Sequence, residues 1–257
     1  MKSEQQINKL FTRRDVLSTL GSLVGLVALT ACENSKPHRN KTSDIASGLT
    51  SSTCSVTPSG EIGPYFADDS ANGFKRSNIL TNIDGTNSQP GIPLELTLYI
   101  VNAEKSCSPM PDVQVDIWHC NANGVYSDIA SEHTAGQTWL RGYQLSDKDG
   151  KLIFNTIIPG WYHGRATHIH LRIRSIFNAT ASQFDSANTT QLFFPQATVD
   201  LINTTVEPYK TKGANPTTNA SDQVYTPQTD GQMVLLLSGN NTNGYKSSFT
   251  INLPVAS

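Results

Sequence analysis

The chain has 257 residues, of which 37% are hydrophobic and 16% charged, with a formal net charge of −2. A balance this close to neutral, with no basic patch or stripe, argues against nucleic acid as a partner. Sparse charge together with plentiful Thr, Asn, Ser and Gly suits an all-β protein that works outside the cytoplasm.

The first predicted element is not part of the fold. Residues Thr12 to Ser18 read T-R-R-D-V-L-S and precede an apolar run from Leu20 to Leu29, which ends in L-T-A-C at Cys32. A twin arginine ahead of a short apolar stretch reads as an export signal, too short for a good transmembrane helix. L-T-A-C resembles a bacterial lipobox, whose cysteine becomes the lipidated first residue of the mature protein. The expectation is therefore a signal over residues 1–31 and a lipid anchor at Cys32. The product is an exported bacterial lipoprotein on the periplasmic side, the outer membrane or the cell surface, touching membrane only through its lipid. Loss of residues 1–31 removes four basic and two acidic residues, leaving 15 basic and 19 acidic, a net charge of −4. Residues 32–52, rich in Ser, Lys, Thr and Asn without apolar periodicity, read as a flexible tether. Residues 53–257 are long enough for one domain with a substantial core. An oxidising compartment permits one disulfide among Cys54, Cys107 and Cys120. Cys107 and Cys120 flank a predicted strand that would hold them apart, so Cys54 is the expected member of any pair.

Within the domain, strands are predicted at Leu94–Val101, Val113–Trp118, Trp139–Leu145, Lys151–Ile157, Thr167–Arg174, Gln191–Phe194, Met233–Leu237 and Ser247–Asn252. The S-D-K-D-G segment between the third and fourth carries the Asp and Gly that a tight turn needs. Apart from Gln191–Phe194, the Thr/Asn-rich stretch Thr180–Asn219 reads as long surface loop. Recurring strands without long helical patterns predict an antiparallel β-sandwich of two packed sheets.

The segment Ile158–Ile173, I-P-G-W-Y-H-G-R-A-T-H-I-H-L-R-I, concentrates the chemistry. Side chains alternate across a strand, so His168 and His170 share one face while Thr167, Ile169 and Leu171 take the other. A lone His-x-His is weak as a metal signal, but Tyr162 and Arg165 lie within a few residues and Tyr126 follows an upstream strand. Two neutral imidazoles with two phenolates make a set of four donors carrying two negative charges. Hard anionic oxygens favour trivalent over divalent iron, whereas zinc sites favour thiolate and imidazole. Such a centre is a Lewis acid suited to activating a chelating diol. His119 and His163 flank these segments and read as supporting or surface residues.

The segments V-D-I-W-H-C-N-A-N-G-V-Y-S-D, L-R-G-Y-Q-L-S-D-K-D-G, I-P-G-W-Y-H-G-R-A-T-H-I-H and T-Q-L-F-F-P, in that order, resemble the intradiol ring-cleavage dioxygenases. T-P-S-G-E-I-G-P-Y-F at Thr57–Phe66 is similar to a family segment beside the active site. The likeness runs from about Cys54 to Pro195. It implies one ferric iron per chain, with Tyr126 and Tyr162 as phenolate ligands and His168 and His170 as imidazole ligands. It also implies that Tyr162 is released to act as a base, that Arg165 stabilises charge developing on the ring, and that Gln191 orients the substrate. The implied reaction joins a catechol-type diol and dioxygen into a cis,cis-muconate-type diacid. The link between Tyr162 and His168 is shorter than in the soluble catabolic enzymes and resembles the secreted branch, so the natural diol is left unassigned. Two other readings compete: a non-catalytic β-sandwich binding module, carbohydrate- or transthyretin-like, and a zinc or copper protein using His168, His170 and a third histidine.

Overall fold

A computed structural model describes residues 55–67, 73–174, 189–225 and 232–254. The expected signal, lipid-bearing Cys32, the tether and Cys54 lie outside the described residues. Leu49–Ser257 form one compact unit.

The chain builds nine strands among the described residues: β1 (Pro93–Asn102), β2 (Ser108–Pro109), β3 (Gln114–Trp118), β4 (Arg141–Leu145), β5 (Lys151–Ile157), β6 (His168–Arg174), β7 (Thr189–Phe193), β8 (Ser238–Asn240) and β9 (Gly244–Leu253). They form two sheets. In the first, β1 is central, with β9 and then β8 on one side and β5 and β2 on the other; the second runs β4-β3-β6-β7. This is the all-β sandwich expected. Its pairing is antiparallel except between β1 and β9, which run parallel from Leu94 opposite Tyr245 to Asn102 opposite Leu253.

Period-two alternation explains how the sheets meet. Leu94, Leu96, Leu98 and Ile100 of β1 are buried with Leu152 and Phe154 of β5, and they face Val115 and Ile117 of β3 and Ile169, Leu171 and Ile173 of β6 in one apolar core. Burying each such side chain contributes roughly 1.5–3 kcal/mol. The Asp147–Lys151 turn forms as predicted: Asp147 Oδ1 accepts from Asp149 N and Lys151 N at 2.9 Å each, and Gly150 takes φ +72°.

Two expectations need correction, and the cysteine pairing, left open between Cys107 and Cys120, gains detail. The surface loop expected around Thr180–Asn219 contains β7 in full and a helix, α1 (Gln196–Thr205), which buries Val199, Ile202 and Asn203. Its Thr and Val content depresses helix propensity, and only the 3–4 spacing of the buried residues marks it. Met233–Leu237 is not a strand. It meets β7 through a bridge between Phe193 and Val234, with Phe193 N donating to Met233 O (2.9 Å) and Leu235 N to Phe193 O (2.8 Å). Cys107 is disulfide-bonded, while Cys120 is a free, buried thiol that burial pushes up to about 12.

Tyr209, beyond α1, ties this segment to the sandwich. Its buried hydroxyl accepts from Ile92 N (3.0 Å) and donates to Ile158 O (2.6 Å), just outside the paired ends of β1 and β5. Tyr209→Phe keeps the ring and strands both backbone groups, so it is expected to cost about 1–3 kcal/mol in urea unfolding. Unchanged stability would show that neither bond carries weight.

Candidate active site

The candidate residues gather on the face of the second sheet that points away from the core. On β6, Ile169, Leu171 and Ile173 enter the core, which turns His168 and His170 outward. Register sets their neighbours: His170 lies opposite Trp118 of β3 and Gln191 of β7, and His168 lies opposite Phe193. Opposed residues share a face, so each imidazole gains an aromatic neighbour. Trp118 stacks on His170 with ring centroids 4.8 Å apart and planes 9° apart, and Phe193 sits 6.0 Å from His168.

The ring nitrogens converge. His168 Nδ1 donates to Ala166 O (2.6 Å), which leaves its Nε2 as an acceptor 2.9 Å from His170 Nε2. The Glu61 backbone interacts with the His170 ring, and with the His170 proton on Nδ1 both Nε2 lone pairs turn to one point. Tyr162 Oη lies 3.4 Å from His168 Nε2. Tyr126 is fully buried, with ring centroids 5.6 Å from Tyr162 and 6.4 Å from His170, and its hydroxyl interacts with the Tyr162 phenol.

Two tyrosines 36 positions apart are brought together by contact between two loops. Asn121 starts the first, its Oδ1 accepting from Asn123 N (3.0 Å) and Val125 N (3.1 Å). Gly160 N then donates to Asn121 O (3.1 Å), and a Cβ on Gly160 would lie 2.2 Å from Ala122 O. On the other loop, a Cβ on Gly124, at φ +79°, would lie 2.0 Å from Trp161 O. The backbones before Tyr126 and Tyr162 thus touch at two points where only glycine fits. Glu132 Oε2 accepts from Tyr126 N (2.5 Å) and Thr134 Oγ1 donates to Tyr126 O (2.6 Å), fixing the residue itself.

The segment that begins at Thr57 closes the site. Gly60 N donates to Thr189 O (2.6 Å) and Arg141 Nη2 to Tyr65 O (2.8 Å). Gly63 takes φ +71°, where a Cβ would approach His170 Cε1 to 3.1 Å. Tyr65 stacks on Tyr126 (4.4 Å, 22°) and meets Tyr162 edge-on (5.4 Å).

Arg165 and Gln191 meet as well. Arg165 Nη2 donates to Gln191 Oε1 (2.5 Å), Nη1 to Tyr162 Oη (3.4 Å) and Nε to Asp222 Oδ2 (2.9 Å), while Gln191 Nε2 donates to Glu61 O (2.8 Å). Both ends of the Gln191 amide are therefore occupied by protein. His163 is exposed on the Tyr162–His168 link, and His119 is buried elsewhere, between Cys120 O (2.9 Å) and Thr156 Oγ1 (2.7 Å). Sequence reasoning missed Asp222, Glu132 and the Trp118 stack. Only the register of β3 against β6 could have signalled the last, and the two carboxylates sit in loops without pattern.

Burial dominates the electrostatics. It drives His168 down to about 3 and His170 well below its ordinary value, helped in both by the Arg165 charge. It raises Tyr162 to about 12 against the opposing pull of Arg165, and Tyr126 well above 10. With no metal ion among them, these four donors are neutral at neutral pH; a metal cation among them reverses that preference for the phenols. Among the described residues no group of three or more His, Cys, Asp or Glu could hold a metal. A third histidine does not join His168 and His170 among the described residues, and the remaining donors beside them are phenol oxygens.

Comparison with known proteins adds four findings. A family model described as Dioxygenase matches residues 62–208, more than half of the chain. The catechol 1,2-dioxygenase of Candida albicans is 27% identical over 108 residues, 41% of this chain and 33% of that enzyme, so the chain aligns with about a third of its relative's length. The solved intradiol ring-cleavage dioxygenase of Tetranychus urticae superposes with a TM-score of 0.65 at 25% identity, covering 79% of this chain and 96% of that one. The dioxygenase domain of a dioxygenase–carbohydrate-binding protein fusion from Streptomyces sp. SirexAA-E gives a TM-score of 0.54 at 27% identity, over 78% and 99% of the two chains.

The two glycine contacts make a prediction. Gly124→Ala meets both the strain of φ +79° and the Trp161 carbonyl, whereas Gly164→Ala, at φ +85° with nothing within 4 Å, meets the strain alone. Gly164→Ala should cost roughly 1–2 kcal/mol in urea unfolding and Gly124→Ala clearly more. Equal losses would show that the loop contact is soft.

Proposed function

This chain belongs to the intradiol ring-cleavage dioxygenase family, and we propose that it uses Fe(III) and dioxygen to open a catechol-type diol between its hydroxylated carbons, giving a cis,cis-muconate-type diacid. The observation that carries the reading is the convergence of Tyr126, Tyr162, His168 and His170 on one buried point, with the two phenols beside each other and the two Nε2 atoms 2.9 Å apart. Burial leaves both phenols and both imidazoles short of solvent, a cost that a bound cation offsets. Two neutral imidazoles and two phenolates bring two negative charges, matching a trivalent ion better than a divalent one. Family membership sets aside the reading as a non-catalytic binding module.

When bound, the ferric ion supplies the Lewis acidity that holds and polarises the ionised diol toward dioxygen. The two tyrosines differ in burial. Tyr126 is sealed beneath Tyr65 and held by Glu132 and Thr134, whereas Tyr162 is part-exposed on a loop and touches Arg165. Tyr162 is thus the phenol free to swing, and its oxygen is the one that takes a proton from the incoming diol. The Arg165 guanidinium, with Nη1 at that oxygen, stabilises negative charge developing on the ring. Gln191, with both ends engaged, influences the substrate's orientation through Arg165. The envelope location expected from residues 12–32 is part of the proposal: Cys32→Ser is expected to abolish incorporation of labelled palmitate, and retained label would refute the anchor.

Oxygen uptake with catechol, hydroxyquinol and protocatechuate tests the reaction. At least one should be consumed, both atoms of labelled dioxygen should appear in a ring-opened diacid, and chelation of iron should stop the reaction until iron is restored. A product carrying one labelled oxygen, or activity indifferent to iron, would refute the mechanism.

A further inference from the structure

Arg165 stands on a solvent-facing link between the Tyr162 loop and β6, and its long side chain needs something to fix it. That support comes from Asp222, in the turn beyond α1, whose side chain is wholly buried. The two oxygens of Asp222 divide their work. Oδ1 accepts from Val224 N (2.8 Å) and Tyr225 N (3.1 Å), which orients the carboxylate within its own turn. Oδ2 accepts from Arg165 Nε (2.9 Å) and Ala166 N (2.7 Å). Burial opposes ionisation of this carboxyl, but these donors and the Arg165 charge hold it below its ordinary value, so it is charged at neutral pH.

The guanidinium is planar and presents its donors as a fixed fork. Asp222 takes Nε and Gln191 takes Nη2, two anchors at different nitrogens of that plane, and the remaining Nη1 is left facing Tyr162 Oη. Gln191 is itself tied to Glu61 O, so the guanidinium is anchored through Nε to the turn beyond α1 and through Nη2 to the segment over the site. The geometry points to Asp222 as a positioning residue: a buried carboxylate that, with Gln191, sets the plane of Arg165 so that Nη1 faces the place where charge develops on the diol. The kinetic consequence rests on the intradiol reading, whereas the orientation of Arg165 does not.

Asp222→Asn tests this, because it keeps the size and the Oδ1 acceptor but places an amide NH2 against two N–H donors. The variant is made in the wild-type chain and in Arg165→Gln, each loaded with iron; kcat and KM are measured with the best diol, and crystal structures are solved. In the wild-type background kcat is expected to fall about 10- to 100-fold with KM changed only a few-fold, the scale of a displaced electrostatic group. In Arg165→Gln the same change should cost less than about threefold. Crystals should show the guanidinium turned away from Tyr162 Oη. Equal losses in both backgrounds, or an unmoved Arg165 with full kcat, overturn the proposal. Should Asp222→Asn fail to fold, Arg165→Lys keeps the charge but cannot span Asp222 and Gln191, and wild-type kcat in that variant is equally fatal. If the wild-type protein cleaves no diol, the reaction reading fails, and the crystallographic position of Arg165 alone decides the positioning.

Discussion

Everything at the site depends on one strand having two chemically opposite faces. β6 runs between β3 and β7 with Ile169, Leu171 and Ile173 locked in the core. A slip of one residue would put two imidazoles and two guanidinium groups into that core, at a cost far above the stability of a domain. The register is therefore fixed by the hydrophobic effect. The outward presentation of His168 and His170, and the placing of Trp118 and Gln191 beside His170, follow without further specification.

The second requirement is met by backbone contact. Side chains pack with tolerance, but Gly124 against Trp161 O and Gly160 against Ala122 O admit no atom between them. Those contacts hold the Tyr126 and Tyr162 loops at one separation, while Tyr65 and Gly63 cover them from the segment beginning at Thr57. The outcome is a dry cluster whose donors are neutral by themselves and gain from a cation. Arg165, the guanidinium that touches Tyr162, is anchored at its Nε and Nη2 donors. The division between a sealed tyrosine and a part-exposed one gives the proposed chemistry a stationary donor and a movable one.

Much of this was legible in the sequence, for identifiable reasons. The alternation in T-H-I-H-L-R-I declares which residues face the core, and the strands it predicts recur nearly residue for residue at β1, β5 and β6. Gly and Asn in N-A-N-G and Pro and Gly in P-G-W mark the tight loops that carry the tyrosines. Elements held by distant partners were not legible. α1 is read as loop because its Thr and Val residues hide three buried positions, and Met233–Leu237 reads as strand because apolar content does not say whether an edge is available. Asp222 and Glu132 lie in turns where an acidic residue is unremarkable, and their roles exist only once the chain has brought Arg165 and Tyr126 to them. The parallel partnership of β1 and β9 is likewise a matter of topology, to which local pattern is blind.

The central claim is that the four convergent donors form a ferric site with tyrosinate ligation. Metal analysis joined to the visible and resonance Raman spectra of the purified protein tests it most directly. The account predicts about one equivalent of iron, a red-brown colour from phenolate-to-iron charge transfer with tyrosinate ring modes enhanced in the band, and loss of that colour in the Tyr126→Phe, Tyr162→Phe double variant. An iron-loaded but colourless protein, a zinc or copper protein without the band, or colour that survives the double substitution would contradict it.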